Sequence, residues 1–117
     1  MKEENTIRDK SYQFARRIVK LYKFLCEEKK EYVLSKQILR SGTSIGANIA
    51  ESQYGQSRQD FAAKLSIAQK EAGETEFWLM LLTDEEYLSR QMGESLLNDC
   101  RELIMILQSI TKTLYNK

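Results

Sequence analysis

The chain has 117 residues, no proline, five glycines, 30% charged residues and a formal net charge of +1. That length suits one domain with a real core; the composition suits long helices and disfavours both disorder and a strongly basic nucleic-acid binder. Histidine is absent, which excludes imidazole acid–base catalysis, mixed Cys/His zinc sites and the Glu-x-x-His di-iron motif, so a non-enzymatic protein without cofactor or metal is expected.

The first helix is predicted over about 6–28, with Asn5 or Thr6 placed to cap it. Phe14, Ile18, Leu21 and Leu25 recur at four and three, forming one apolar stripe. A second row, Arg16, Lys20 and Lys23 with Arg17 beside it, carries cations at the same spacing. Residues 1–24 hold seven basic and three acidic groups, so the charge is lopsided although its total is small. The row suits phosphates or an acidic partner; a solvated helix face is the plainer reading. Residues 27–31 form a polar connector, either a tight turn or a frayed helix end.

The second helix is predicted over about 35–53, with Ser35 as cap. Ile38, Gly42, Ile45 and Ile49 keep the rhythm, while Gly42, Gly46 and Ala50 recur every fourth residue and thin one face so that another backbone can approach. Ser44 and Asn48 add hydrogen-bonding groups one turn apart. Each internal glycine costs about 1 kcal/mol against alanine, which close packing should offset. Gly55 then suits a left-handed helix stop, and Ser57 with Asp60 resembles a capping box.

The third helix is predicted over about 57–83. Phe61, Leu65, Ala68, Ala72, Thr75, Leu79 and Leu82 give the most regular stripe in the chain. Phe77, Trp78 and Leu81 sit off it on a second apolar face. Leu88 should fold back onto the bundle end, and Ser89 should cap a fourth helix over about 89–115. That helix carries Leu96, Cys100, Leu103, Leu107, Ile110 and Leu114 on its stripe, with Ile104 and Ile106 widening the apolar surface. Such excess is more than a lone bundle needs, so Phe77, Trp78, Leu81, Ile104 and Ile106 are candidate contacts in a homo-oligomer. The fold expected is an all-α, antiparallel up-down-up-down four-helix bundle occupying one domain, 1–117.

Glu51, Glu71, Glu74 and Glu76 invite comparison with a carboxylate metal cluster. Pairing with Arg40, Arg58, Lys64 or Lys70, or bonds from Ser44 and Asn48, is the better reading. Cys26 and Cys100 have no partner spacing and read as buried thiols. No apolar run approaches the roughly 18 residues of a membrane span, and the charged start is no secretory signal; a cytoplasmic protein without membrane contact is expected.

Residues 37–51, Gln-Ile-Leu-Arg-Ser-Gly-Thr-Ser-Ile-Gly-Ala-Asn-Ile-Ala-Glu, followed by Ser57, Asp60, Phe61, Lys64, Leu65, Ala68, Glu71 and the run Glu74-Thr75-Glu76-Phe77-Trp78-Leu79, resemble the signature of the bacterial 23S rRNA intervening-sequence proteins. The resemblance covers the second helix through the fourth. It implies an antiparallel bundle assembled into a homopentamer; the helix-packing motif Gly42, Ser44, Gly46, Asn48, Ala50 and Glu51, read from the spacing within the second helix, falls inside the matching stretch. A similar bundle serves as accessory protein of diversity-generating retroelements and engages reverse transcriptase and nucleic acid through a basic surface. By that likeness, contact with RNA or DNA falls to Arg16, Arg17, Lys20 and Lys23. The near-neutral charge departs from those basic relatives, and a module that binds another protein without nucleic acid is the alternative.

Overall fold

Four one-sided amphipathic rods bury their stripes by facing one another. The computed structural model describes residues 2–115, with side chains from residue 6 onward, as α1 (Lys2–Glu27), α2 (Leu34–Ser52), α3 (Arg58–Asp84) and α4 (Arg90–Tyr115). Each helix packs on the next and α4 returns to α1, and among the described residues no diagonal pair brings its backbones together. This is the antiparallel up-down-up-down square, 46 × 21 × 19 Å. The α1–α2 and α3–α4 connections lie at one pole; the α2–α3 connection lies at the other, together with the start of α1 and the end of α4.

The stripes meet in a single core. Phe14, Ile18, Leu21 and Leu25 are buried, and Ile7 extends their row. Ile38, Ile45 and Ile49 of α2, Leu65, Ala68, Ala72, Leu79 and Leu82 of α3, and Leu96, Cys100, Leu103, Leu107 and Ile110 of α4 complete it. Phe61 is only half-buried, and Ala62 takes the inward position beside it. Leu88 closes the pole as expected. Cys100 is buried and free, with Sγ 3.4 Å from the Ala72 carbonyl; burial pushes its thiol up to about 12. Cys26 is half-buried rather than buried.

The glycines mark where helices touch closely. A Cβ on Gly42 would stand 2.8 Å from Ile18 Cγ1, and one on Gly46 would stand 3.3 Å from the Ser11 carbonyl oxygen, so α1 occupies the thinned wall of α2. Ala50, one turn further, stays exposed. Gly93, in the first turn of α4, admits Thr83: a Cβ there would fall 2.1 Å from its Oγ1. At the centre of the α2–α3 contact, Thr75 Oγ1 lies 2.9 Å from Ser41 Oγ and 2.8 Å from the Glu71 carbonyl oxygen. Among the described residues, no buried side-chain polar atom is left without a partner.

Helix ends correct several expectations. The α1 helix starts at Lys2, so Thr6 lies within it and cannot cap it, while the side chain of Asn5 lies outside the described residues. The cap of α2 is not Ser35, which is buried inside the helix, but Glu31. Its carboxylate accepts the backbone N–H groups of Val33 (3.2 Å), Leu34 (3.0 Å) and Ser35 (2.7 Å). Negative charge at a helix N-terminus makes an acid as effective there as a hydroxyl. Gly55 does not adopt the left-handed conformation; the residues that do are Lys30 (φ 54°) and Glu86 (φ 67°). Ser57 and Ser89 do cap α3 and α4, accepting from the N–H groups of Asp60 (3.0 Å) and Met92 (3.1 Å).

The glycine contacts make opposite substitutions predictable. Gly93→Ala must displace Thr83 and is expected to lower stability by about 1–3 kcal/mol. Gly73, whose Cβ position is open, should gain up to about 1 kcal/mol as alanine. Urea denaturation of the two variants beside the parent checks both; a gain for Gly93→Ala would refute the close contact.

Candidate functional site

The basic row lies on α1, and the fold divides its four members. Arg17 faces α4: its guanidinium donates to Asp99 (2.7 Å) and to Ser95 Oγ (3.0 Å). With Lys10–Glu102 (3.1 Å) it ties the α1–α4 seam. Arg16, Lys20 and Lys23 line the outer face, all exposed. Arg16 makes only a long bond to Gln13 (3.4 Å), and Lys20 and Lys23 have no ion-pair partner among the described residues. The linear row is thus one seam cation and three outward ones.

Two cavities lie along this seam, where neighbouring helices touch least. The first, about 400 Å³, is lined by Asp9, Lys10, Gln13, Phe14, Arg17, Asp99, Glu102 and Leu103. The second, about 280 Å³, is nearer the pole of the α1–α2 and α3–α4 connections and is lined by Arg17, Lys20, Leu21, Phe24, Met92 and Leu96. Sequence reasoning overlooked Phe24 and Met92, because nothing in the linear order signals that residues 68 apart converge.

The acids are engaged in pairs. Arg40 of α2 bridges Glu71 (3.1 Å) and Glu74 of α3, and the Trp78 indole N–H donates to Glu74 (3.1 Å). Lys64 pairs with Glu51 (2.7 Å) and Arg101 with Glu76 (2.7 Å). Arg58 donates instead to the Leu114 carbonyl (3.3 Å). Ser44 and Asn48 do not reach the acids: Ser44 donates to the Arg40 carbonyl (2.6 Å) and Asn48 to the Ser44 carbonyl (2.8 Å), both within α2. Arg40, and after it Trp78, hold the Glu74 carboxyl below the usual carboxylate range.

The apolar candidates separate as well. Phe77 and Trp78 stack edge to face, ring centroids 5.0 Å apart, and Leu81 follows one turn on. Phe77 is 57% exposed, whereas Trp78 packs on the core. Ile104 and Ile106, two positions apart, are about 200° apart around α4 and both pack partly on the core. Ile104 lies on the flank of Arg101, toward α3, and Ile106 on the flank of Glu102, toward α1. The larger exposed apolar side chains nearby are Phe77, Met80 (46%), Ile67 (41%) and Met105 (68%). No helix among the described residues is long and apolar enough to cross a membrane.

The sequence profile of the 23S rRNA-intervening sequence proteins matches residues 3–109. The chain is also similar to a Bacteroides thetaiotaomicron protein of unknown function from the S23 ribosomal protein family, known from its crystal structure. The two are 59% identical, over 94% of this chain and 98% of that one, with a TM-score of 0.92. No curated protein matches.

The Arg40–Glu74–Trp78 bridge generates a pH dependence. Because the folded Glu74 carboxyl titrates below its unfolded value, its stabilisation is complete above the ordinary pKa of about 4.3 and is lost as pH falls through the depressed value. Glu74→Gln should therefore melt below the parent by a constant margin at pH 5–7, and the gap should close below about pH 4. A gap independent of pH in thermal melts would contradict this.

Proposed function

The chain belongs to the 23S rRNA-intervening sequence protein family, and from that premise we propose that it is a non-enzymatic, self-associating helical scaffold or accessory factor that meets RNA or DNA through the outer face of α1. The observation that carries this reading is the row Arg16, Lys20 and Lys23, three cations on one face that form no ion pair within the described bundle. Cations aligned along a rod present charge at intervals a polyanion backbone can follow. Arg17 lies beside this face on the α1–α4 seam, where Asp99 and Ser95 hold its guanidinium.

Replacing Arg16, Lys20 and Lys23 together by glutamine should remove most affinity for RNA at low salt and leave thermal stability within about 0.5 kcal/mol, as expected of exposed positions. For the parent, log affinity should fall with log salt at a slope of about −2 for three phosphate contacts on a single strand. Fluorescence anisotropy measures both, and absence of binding at low salt would overturn the nucleic-acid reading. The alternative, a module for another protein alone, would then gain from a partner captured intact after nuclease treatment.

Self-association, with five subunits as the family resemblance implies and a cytoplasmic setting, is the second part of the proposal. Beside the family resemblance, its support on the surface is the exposed pair Phe77 and Met80, one turn apart on α3. Light scattering should give a multiple of the 13.7 kDa chain mass that drops for Phe77→Ser combined with Met80→Ser. A single subunit at high concentration would overturn it.

A further inference from the structure

We propose that the smaller seam cavity receives the base of an unpaired nucleotide, so that the protein binds single strands in preference to duplex; this rests on the nucleic-acid reading above and adds a site to it. The cavity, about 280 Å³, has a lining that joins two cations, Arg17 and Lys20, to an aromatic ring, Phe24, and three pliant apolar side chains, Leu21, Met92 and Leu96. No acid lines it; Arg17 is paired with Asp99 at 2.7 Å, so Lys20 is the lining cation left without an ion pair among the described residues. The neighbouring cavity on the same seam sets three acids, Asp9, Asp99 and Glu102, against two cations, Lys10 and Arg17, so of the two the smaller suits an anionic ligand with a flat apolar part better.

The rim is arranged for that ligand. Asp99 and Ser95 hold the Arg17 guanidinium in place, while Lys20 remains unpaired among the described residues and can turn toward a phosphate. Lys29, from the α1–α2 connector, sets its Nζ 5.8 Å from the centroid of the Phe24 ring. Arg16 and Lys23 stand one turn to either side of Lys20 on α1, offset by about 6 and 4.5 Å of helical rise, so a strand whose base enters the cavity has its flanking phosphates over the row. Met92, 38% exposed, gives the wall the adaptability of a thioether. A duplex keeps its base faces stacked inside and can use the row but not the cavity; stacking on an aromatic side chain is sequence-tolerant and adds to strand affinity.

Fluorescence anisotropy with a labelled mixed-sequence single-stranded RNA, the same RNA paired into duplex, and a charge-matched acidic peptide containing phenylalanine tests the site. The single strand should bind about tenfold tighter than the duplex. Phe24→Leu, which keeps apolar volume and removes the ring, should weaken single-strand binding by about fivefold or more and leave duplex binding unchanged. The Met92 methyl resonance of the parent should shift on titration with single strand and not with duplex, a readout independent of any folding defect in the variant. Equal binding of strand and duplex, unaffected by Phe24→Leu, would overturn the cavity site and leave the basic row standing. Tighter binding of the peptide, lost in Phe24→Leu, would assign the cavity to a protein and overturn the proposal. Absence of binding by either RNA would remove both readings together.

Discussion

Where α2 crosses α1, two glycines let the helices approach closely. Gly42 lies against the Ile18 side chain and Gly46 against the Ser11 backbone, and a side chain at either position would push the two helices apart or force a neighbour to shift. Glycine is a poor helix former, and its presence twice within a well-formed helix is explained by this approach. The next contact follows from it: with α2 fixed on α1, Ser41 meets Thr75 of α3 in a buried hydrogen-bonded joint, and Arg40 reaches Glu71 and Glu74 on the outside of the same seam. The polar pairs set register more than they add stability.

The fourth side of the square is different in kind. Between α1 and α4 there is no glycine wall; the space is filled by long side chains, two ion pairs and two cavities. The α1–α2 seam also holds a cavity, about 270 Å³ beside Gly46 and Ala50, but the α1–α4 edge is the one where two cavities and the outward cations of α1 lie together. The functional reading comes from this coincidence of seam and charge.

Much of the architecture was legible in the residues because spacing at three and four encodes it directly. The stripes of α1, α2 and α4 are buried nearly residue for residue, and the hydroxyl caps Ser57 and Ser89 follow from local chemistry. What the linear pattern hid depended on distant partners or on competing local solutions. Glu31 caps α2 from the connector, where its charge made it look like mere solubilising polarity. Gly55 looked like a left-handed stop, yet that conformation falls to Lys30 and Glu86. Arg17 appeared one of four equal cations because Asp99, its partner, lies 82 positions away. Gly93 carried no signal at all, since its importance is the Thr83 side chain it admits.

Helix count and direction also decide what stands at each pole. With four antiparallel rods, the two ends of the described chain emerge side by side, where Arg58 grips the last turn of α4, and the α1–α2 and α3–α4 connections close the far pole near Phe24 and Met92. Anything covalently appended at either terminus, whether a fluorophore, an affinity handle or a tether to a surface, therefore projects away from the aromatic cavity and leaves its mouth unobstructed.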